Sequence, residues 1–220
     1  TDFDVSDTSL SATLFGKDIT FSPSKVESFH RCRFSYFCEK GLYVRPLQRI
    51  EMDPLQSGNF IHYCLYALLS ERTKEEFVAL DQKQLSELCD KIAEDYLTKE
   101  LVATDFSDKR FVTLMMRMKS TVKRLAVRLQ AEFKESDFIP VEFEAEIDRR
   151  KEIKPLRLTL SDGSTVWIEG KVDRIDLFEN EGKRYIRVID YKSGTKDFNA
   201  EDIEYGLNMQ MLLYLFAICD

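Results

Sequence analysis

The sequence predicts an α/β fold in which a sheet carries helices on both faces. Three observations point there. Apolar residues recur at helical spacing in several stretches between Ser22 and Glu135. After Pro140 the period changes from 3.6 to two and stays there to Tyr191. A final apolar run, Met209–Cys219, has only Gln210 as a strongly polar residue, so it reads as a closing helix packed on most sides.

Taken in order, residues 1–20 read as a loose lead-in ending in a short strand. Ser22-Pro23-Ser24 opens a helix, because Ser22 can cap and Pro23 suits the first helical position. That helix is expected to reach Arg31. The aromatic stretch Phe34-Ser35-Tyr36-Phe37 follows and Gly41 stops it. Gly58–Ser70 reads as a helix burying Ile61, Leu65, Leu68 and Leu69, with Gly58 and His62 on one face. Amphipathic helices are expected over 82–100 and 108–135. Val141, Phe143, Ala145 and Ile147 alternate with Glu142, Glu144, Glu146 and Asp148, the pattern of a half-buried strand. Strands at 156–160, 166–177 and 185–191 follow, with turns at Ser161-Asp162-Gly163-Ser164 and Asn180-Glu181-Gly182-Lys183. Glu201–Cys219 is expected as one helix. No internal repeat is evident.

The chain has 220 residues, 44% of them apolar, enough for a proper core. No apolar run approaches the ~18 residues of a membrane span. No charged-then-apolar leader is visible, and five cysteines without a CxxC pair fit mostly free thiols in a reducing cytoplasm. The first residue is Thr1 and the last lie inside a helical pattern, as expected of a segment of a longer protein. A net charge of −7 argues against a generic nucleic-acid coat but leaves room for local basic patches.

Charged residues concentrate on the late strands. Asp190 and Lys192 stand two apart, so both point to one face of a strand whose neighbours Ile186, Val188 and Ile189 are apolar. A charged pair there is costly without a partner or a task. Asp173 closes the apolar run before it, and a hairpin would bring it to the same sheet edge. Asp176 falls past the expected strand end and can pair with Arg174. Two acids and a lysine at one point suit metal-assisted phosphodiester hydrolysis. His62 reads either as a metal ligand or as a histidine at the core boundary. Gln210 and Tyr214 share a face of the closing helix. Residues 109–131 contain seven cations and no acid, and Arg117, Arg124 and Arg128 form one stripe, either a track for DNA phosphates or a solvated face.

The set Gly58-x-x-x-His62, Gly170-x-Val172-Asp173-Arg174-x-Asp176, Asp190-x-Lys192 and Gln210-x-x-x-Tyr214 resembles the RecB-type branch of the PD-(D/E)XK nucleases over about residues 20–220. The resemblance implies a restriction-endonuclease-like three-layer core with a central mixed sheet. A helical insertion would occupy about residues 70–135, and residues 1–220 would form a single nuclease domain. It implies Mg²⁺- or Mn²⁺-dependent cleavage of DNA. His62, Asp173, Asp190 and the Tyr191 carbonyl would hold the metal, Lys192 would orient the attacking water and stabilise charge, and Gln210 and Tyr214 would support the site and contact substrate.

Ser22-Pro23-Ser24-Lys25-Val26-Glu27-Ser28-Phe29-His30-Arg31-Cys32 is similar to the start of the nuclease domain in the AddB-type subunits of bacterial helicase–nucleases. That implies an exonuclease acting in double-strand-break repair and recombination together with a helicase/nuclease partner. In that family a cysteine at the place of Cys32 is one of four ligands of a [4Fe–4S] cluster, the other three following the QxxxY helix. This sequence stops six residues after Tyr214, and Arg33 stands where the family has proline after the cysteine. The expectation is a cluster in a full-length protein and none in these 220 residues, with Cys32 a free thiol near the closing helix. Two rivals share the motifs: a nuclease-like fold that binds DNA or protein without cutting, and a stand-alone CRISPR-associated exonuclease. The retained acids and lysine argue against the first, and the cut-looking ends against the second.

Overall fold

The computed structural model describes residues 16–44, 54–100, 109–192 and 201–219, with residues 13 and 199. The lead-in before Gly16 lies otherwise outside the described residues, as do the side chains of Lys109 and Arg110. The chain divides into two compact units, one built from residues 1–46, 146–172 and 197–220, the other from 47–145 and 173–196.

In the first unit, β1 (Asp18–Phe21) leads into α1 (Pro23–Arg31), which Ser22 caps through the Lys25 N–H. Helix α2 (Arg33–Tyr36) continues as a π-helical turn over Phe37–Gly41. Strands β3 (Leu156–Thr159) and β4 (Thr165–Ile168) form an antiparallel pair, and β1 adds to β4 in parallel, Asp18 opposite Thr165 and Phe21 opposite Ile168. One face of this mixed sheet buries Val166 and Ile168 against Leu213, with Phe21, Val26, Leu156 and Met209 around them. Leu213 belongs to α8 (Gln210–Cys219), which follows the short α7 (Glu201–Glu204) and packs on α1 and β3.

The second unit is built on α3 (Pro54–Leu69), α4 (Lys74–Ala79), α5 (Gln82–Glu100) and α6 (Lys109–Glu135). They share one core around Phe60, Leu65, Leu68, Phe77, Val122 and Phe133. A reciprocal cap between Thr73 and Glu76 starts α4. β2 (Ile139–Ile147), β5 (Gly170–Asn180) and β6 (Lys183–Ile189) form a sheet in the order β2-β5-β6. β5 and β6 are a hairpin, paired from Arg174–Ile189 to Asn180–Lys183. Its two turn residues, Glu181 and Gly182, both have positive φ, which matches the hairpin's twist.

Three expectations need correction. The strand expected over 166–177 is two strands, broken at Glu169, and β4 and β5 enter different sheets. The helix expected over 201–219 is interrupted, because Gly206 and Asn208 both adopt left-handed backbone (φ 74° and 56°) that no right-handed helix passes through. A Cβ on Gly206 would sit 2.6 Å from the His30 ring, so glycine is needed there for space as well. The strand expected to reach Tyr191 stops at Ile189.

Candidate metal centre

Helix α3 positions His62. Its Phe60, Cys64 and Leu65 face the core, which leaves His62 half-buried at the rim. His62 Nε2 lies 2.8 Å from the Tyr191 carbonyl. A carbonyl only accepts, so Nε2 carries the proton and donates. Nδ1 then faces Asp173 Oδ1 at 3.2 Å. That hydrogen bond is the main reason the His62 pKa stands above its ordinary value, burial pulling the other way. When Nδ1 loses its proton, the carbonyl holds the tautomer whose lone pair points at the Asp173 carboxylate region.

Asp173, on β5, also accepts from the Tyr191 N–H through Oδ2 at 2.5 Å. Both backbone polar groups of Tyr191 are therefore tied to this cluster. Glu144 on β2 completes it: the ligand atoms of His62, Glu144 and Asp173 all lie within 4.8 Å of one another, all three residues partly buried. Glu144 has φ 52° inside a strand, an unfavourable conformation for a residue with a Cβ. Alternation along 141–147 placed Glu144 with Glu142 and Glu146 on the polar side, and nothing in that pattern separates it from the other two.

Asp190 and Lys192 lie just past β6 but keep the common orientation read from the sequence. Lys192 Nζ is 2.5 Å from Asp190 Oδ2, with the acid nearly buried and the lysine half-exposed. The three-residue ligand cluster does not include Asp190, which adjoins it through the Tyr191 peptide. Asp176 does not fall past a strand end: it sits mid-β5, with none of its side chain exposed. The pairing with Arg174 is present, Nε to Oδ1 at 2.8 Å and Nη2 to Oδ2 at 3.0 Å. Arg187 binds the same Oδ2 at 2.7 Å and Glu132 of α6 at 2.8 Å. Sequence reading did not find this four-residue ion network.

Gln210 and Tyr214 belong to the first unit. Tyr214 is buried, and a Cβ on Gly170 would meet its ring and hydroxyl at 2.6 Å, so the motif glycine and the motif tyrosine are packed face to face. Arg117, Arg124 and Arg128 are all exposed on α6. The track is narrower than the sequence suggested, because Lys119 pairs with Glu94 and Lys123 with Asp90 of α5. The exposed Cys32 caps α2 through its sulfur, and Cys64 and Cys89 are buried in the helical core. A [4Fe–4S] cluster takes four thiolates. Among the described residues no group of three or more cysteines is assembled.

No helix among the described residues is long and apolar enough to cross a membrane. The family model for the PD-(D/E)XK nuclease superfamily matches residues 20–220. Among curated proteins, the chain is 31% identical over 209 residues to the ATP-dependent helicase/deoxyribonuclease B subunit of Caldanaerobacter subterraneus. It is 34% identical over 217 residues to the protein of that name from Clostridium acetobutylicum, and 32% identical over 207 residues to one from Clostridium botulinum. These matches cover 93–94% of this chain and 18% of each relative. The four motifs, the mixed α/β architecture and a family match over all but the first residues lead to one assignment: the chain belongs to the PD-(D/E)XK nuclease superfamily.

Proposed function

We propose that the chain is the DNA-cleaving domain of a helicase–nuclease and depends on a divalent cation. The single observation that carries this reading is the convergence of His62, Glu144 and Asp173 on one point, braced by the Tyr191 peptide. One imidazole nitrogen and two carboxylates suit a hard or borderline cation, Mg²⁺ or Mn²⁺. Asp190 is the further oxygen donor, while the Tyr191 carbonyl, expected from the sequence as a ligand, accepts from His62 Nε2 across the ring from Nδ1 and so orients the histidine. Such a cation, when bound, polarises a phosphodiester and lowers the pKa of water.

The remaining roles belong to side chains. Lys192, held against Asp190 and half-exposed, supplies positive charge where negative charge develops on phosphate. Tyr214 and Gln210 support the site's framework, Tyr214 through Gly170 at the start of β5. Arg117, Arg124 and Arg128 contact phosphates along α6. The names of the relatives support a deoxyribonuclease working with a helicase. We extend that to exonuclease action in double-strand-break repair and recombination, alongside a helicase/nuclease partner in the cytoplasm.

The test is cleavage of linear single- and double-stranded DNA with Mg²⁺ or Mn²⁺, next to Asp173→Ala and Asp190→Ala. Parent cleavage that EDTA and either substitution abolish is the expected result. A parent that binds DNA without shortening or nicking it in either metal would replace this reading with a binding module.

A further inference from the structure

Residue 191 lies beyond the last paired position of the hairpin, Arg174 opposite Ile189, so the β ladder does not hold its backbone. Yet the two peptide units that meet at Tyr191 carry the N–H bound by Asp173 and the carbonyl bound by His62. What fixes it is its side chain. Arg174 Nη1 donates to the Tyr191 hydroxyl at 2.8 Å. Arg174 has no freedom to wander: it is 1% exposed, its Nε and Nη2 are forked onto Asp176, and its guanidinium lies over the Phe133 ring. Asp176 is fixed in turn by Arg187, and Arg187 by Glu132 on α6.

Adjacent residues in a strand point to opposite faces, so Asp173 and Arg174 reach out on either side of β5. Tyr191 bonds to both, its backbone to Asp173 and its ring to Arg174. Stability alone does not account for the buried Arg174–Asp176 pair at its centre, because a buried ion pair is commonly no more stabilising than apolar residues of the same volume. We propose that Arg174 and the Tyr191 hydroxyl are positioning residues that set the Tyr191 peptide, and through it His62 and Asp173, for cation binding and DNA cleavage. The functional half of this inference rests on the reading under Proposed function. The positional half does not.

Tyr191→Phe removes one oxygen and is the least disruptive test. In the metal-free protein, hydrogen exchange at the residue-191 amide quickens about tenfold, the effect of losing one hydrogen bond from a charged donor. Exchange of the α3 and α6 core amides stays within a few-fold of parent. Mn²⁺ affinity falls about tenfold, and turnover on linear DNA falls at least tenfold with KM for DNA unchanged. Arg174→Lys, which keeps the charge and loses the fork, shows the same local pattern. The inference is overturned if the residue-191 amide exchanges at the parent rate. It is equally overturned if exchange rises uniformly across the core, or if the local change leaves Mn²⁺ affinity untouched. A parent that fails to cut DNA sinks the nuclease reading alone, while amide exchange and Mn²⁺ affinity still decide the positioning role.

Discussion

Gly170→Ala adds one methyl group at the head of β5, and its cost can be worked from the packing. The new Cβ would stand 2.6 Å from both Cε1 and Oη of Tyr214 and 3.0 Å from Cζ. Ordinary contact begins near 3.4 Å, so the ring or the strand must move by roughly 0.8 Å. Tyr214 is only 5% exposed and has no open direction to take. Gly170 is not among the positive-φ glycines, so backbone strain does not enter. Alanine in place of glycine would by itself stabilise by ~0.4–1 kcal/mol through the unfolded chain. Overpacking costs ~1–3 kcal/mol. The net is a loss of about 1–2 kcal/mol, and at ~2–4 °C per kcal/mol for a chain of this size the thermal midpoint falls by ~2–8 °C. The assay is thermal unfolding followed by circular dichroism, run as a double-mutant cycle with Tyr214→Ala. In the Tyr214→Ala background the clash partner is gone, so Gly170→Ala becomes neutral or stabilising. A Gly170→Ala protein as stable as the parent, or more so, would refute the packing argument for the two motifs.

Three further outcomes are expected. Lys192→Ala lowers DNA cleavage by about 10²–10³-fold while leaving Mn²⁺ binding within a few-fold of parent, checked by turnover and calorimetry side by side; this follows from the proposed role, since an ammonium group supplies charge and cannot ligate a cation. Reversal of Arg117, Arg124 and Arg128 to Glu weakens DNA binding and flattens its salt dependence by roughly one counterion per lost phosphate contact, and an unchanged salt slope would make the stripe a solvated face. Cys64 and Cys89, their thiols pushed by burial up to about 12 and about 11, resist alkylation at pH 8 under conditions in which the exposed Cys32 and Cys219 react. The same shifts make stability fall as pH rises above about 9, since the unfolded chain releases those protons first.

The parts of the fold that were legible in the sequence are those governed by local pattern. Helices α3, α5 and α6 follow apolar spacing, and the β5–β6 hairpin follows from turn residues whose positive φ the sequence advertises with Gly182. Gly206 and Asn208 carried the same signal against a continuous closing helix, but the apolar run after them outweighed it. The break at Glu169 was marked only by Gly170, a weak signal inside a run otherwise patterned as strand. What divides it is a partner distant in sequence: the Glu169 N–H goes to Phe21 of β1, and the next residue must be glycine to clear Tyr214.

The site divides in the same way. Asp173, His62 and the Asp190–Lys192 pair were singled out in the sequence because each belongs to a spaced motif. Glu144 was not, because a strand of alternating acids gives every one of them the same local description. Its distinction is conformational. A left-handed residue inside β2 carries its carboxylate out of the polar row and toward His62 and Asp173. Backbone strain of that kind, on the order of 1–3 kcal/mol, persists only where the surroundings over-determine it. Glu144→Gln and Glu144→Gly therefore separate the two contributions. Gln keeps the strain and loses the ligand charge, so Mn²⁺ affinity falls while the thermal midpoint holds. Gly relieves the strain and loses the carboxylate entirely, so Mn²⁺ affinity falls at least as far without the strain contributing to the loss. A Glu144→Gln protein that binds Mn²⁺ as the parent does would remove Glu144 from the metal centre and leave its φ without a functional account.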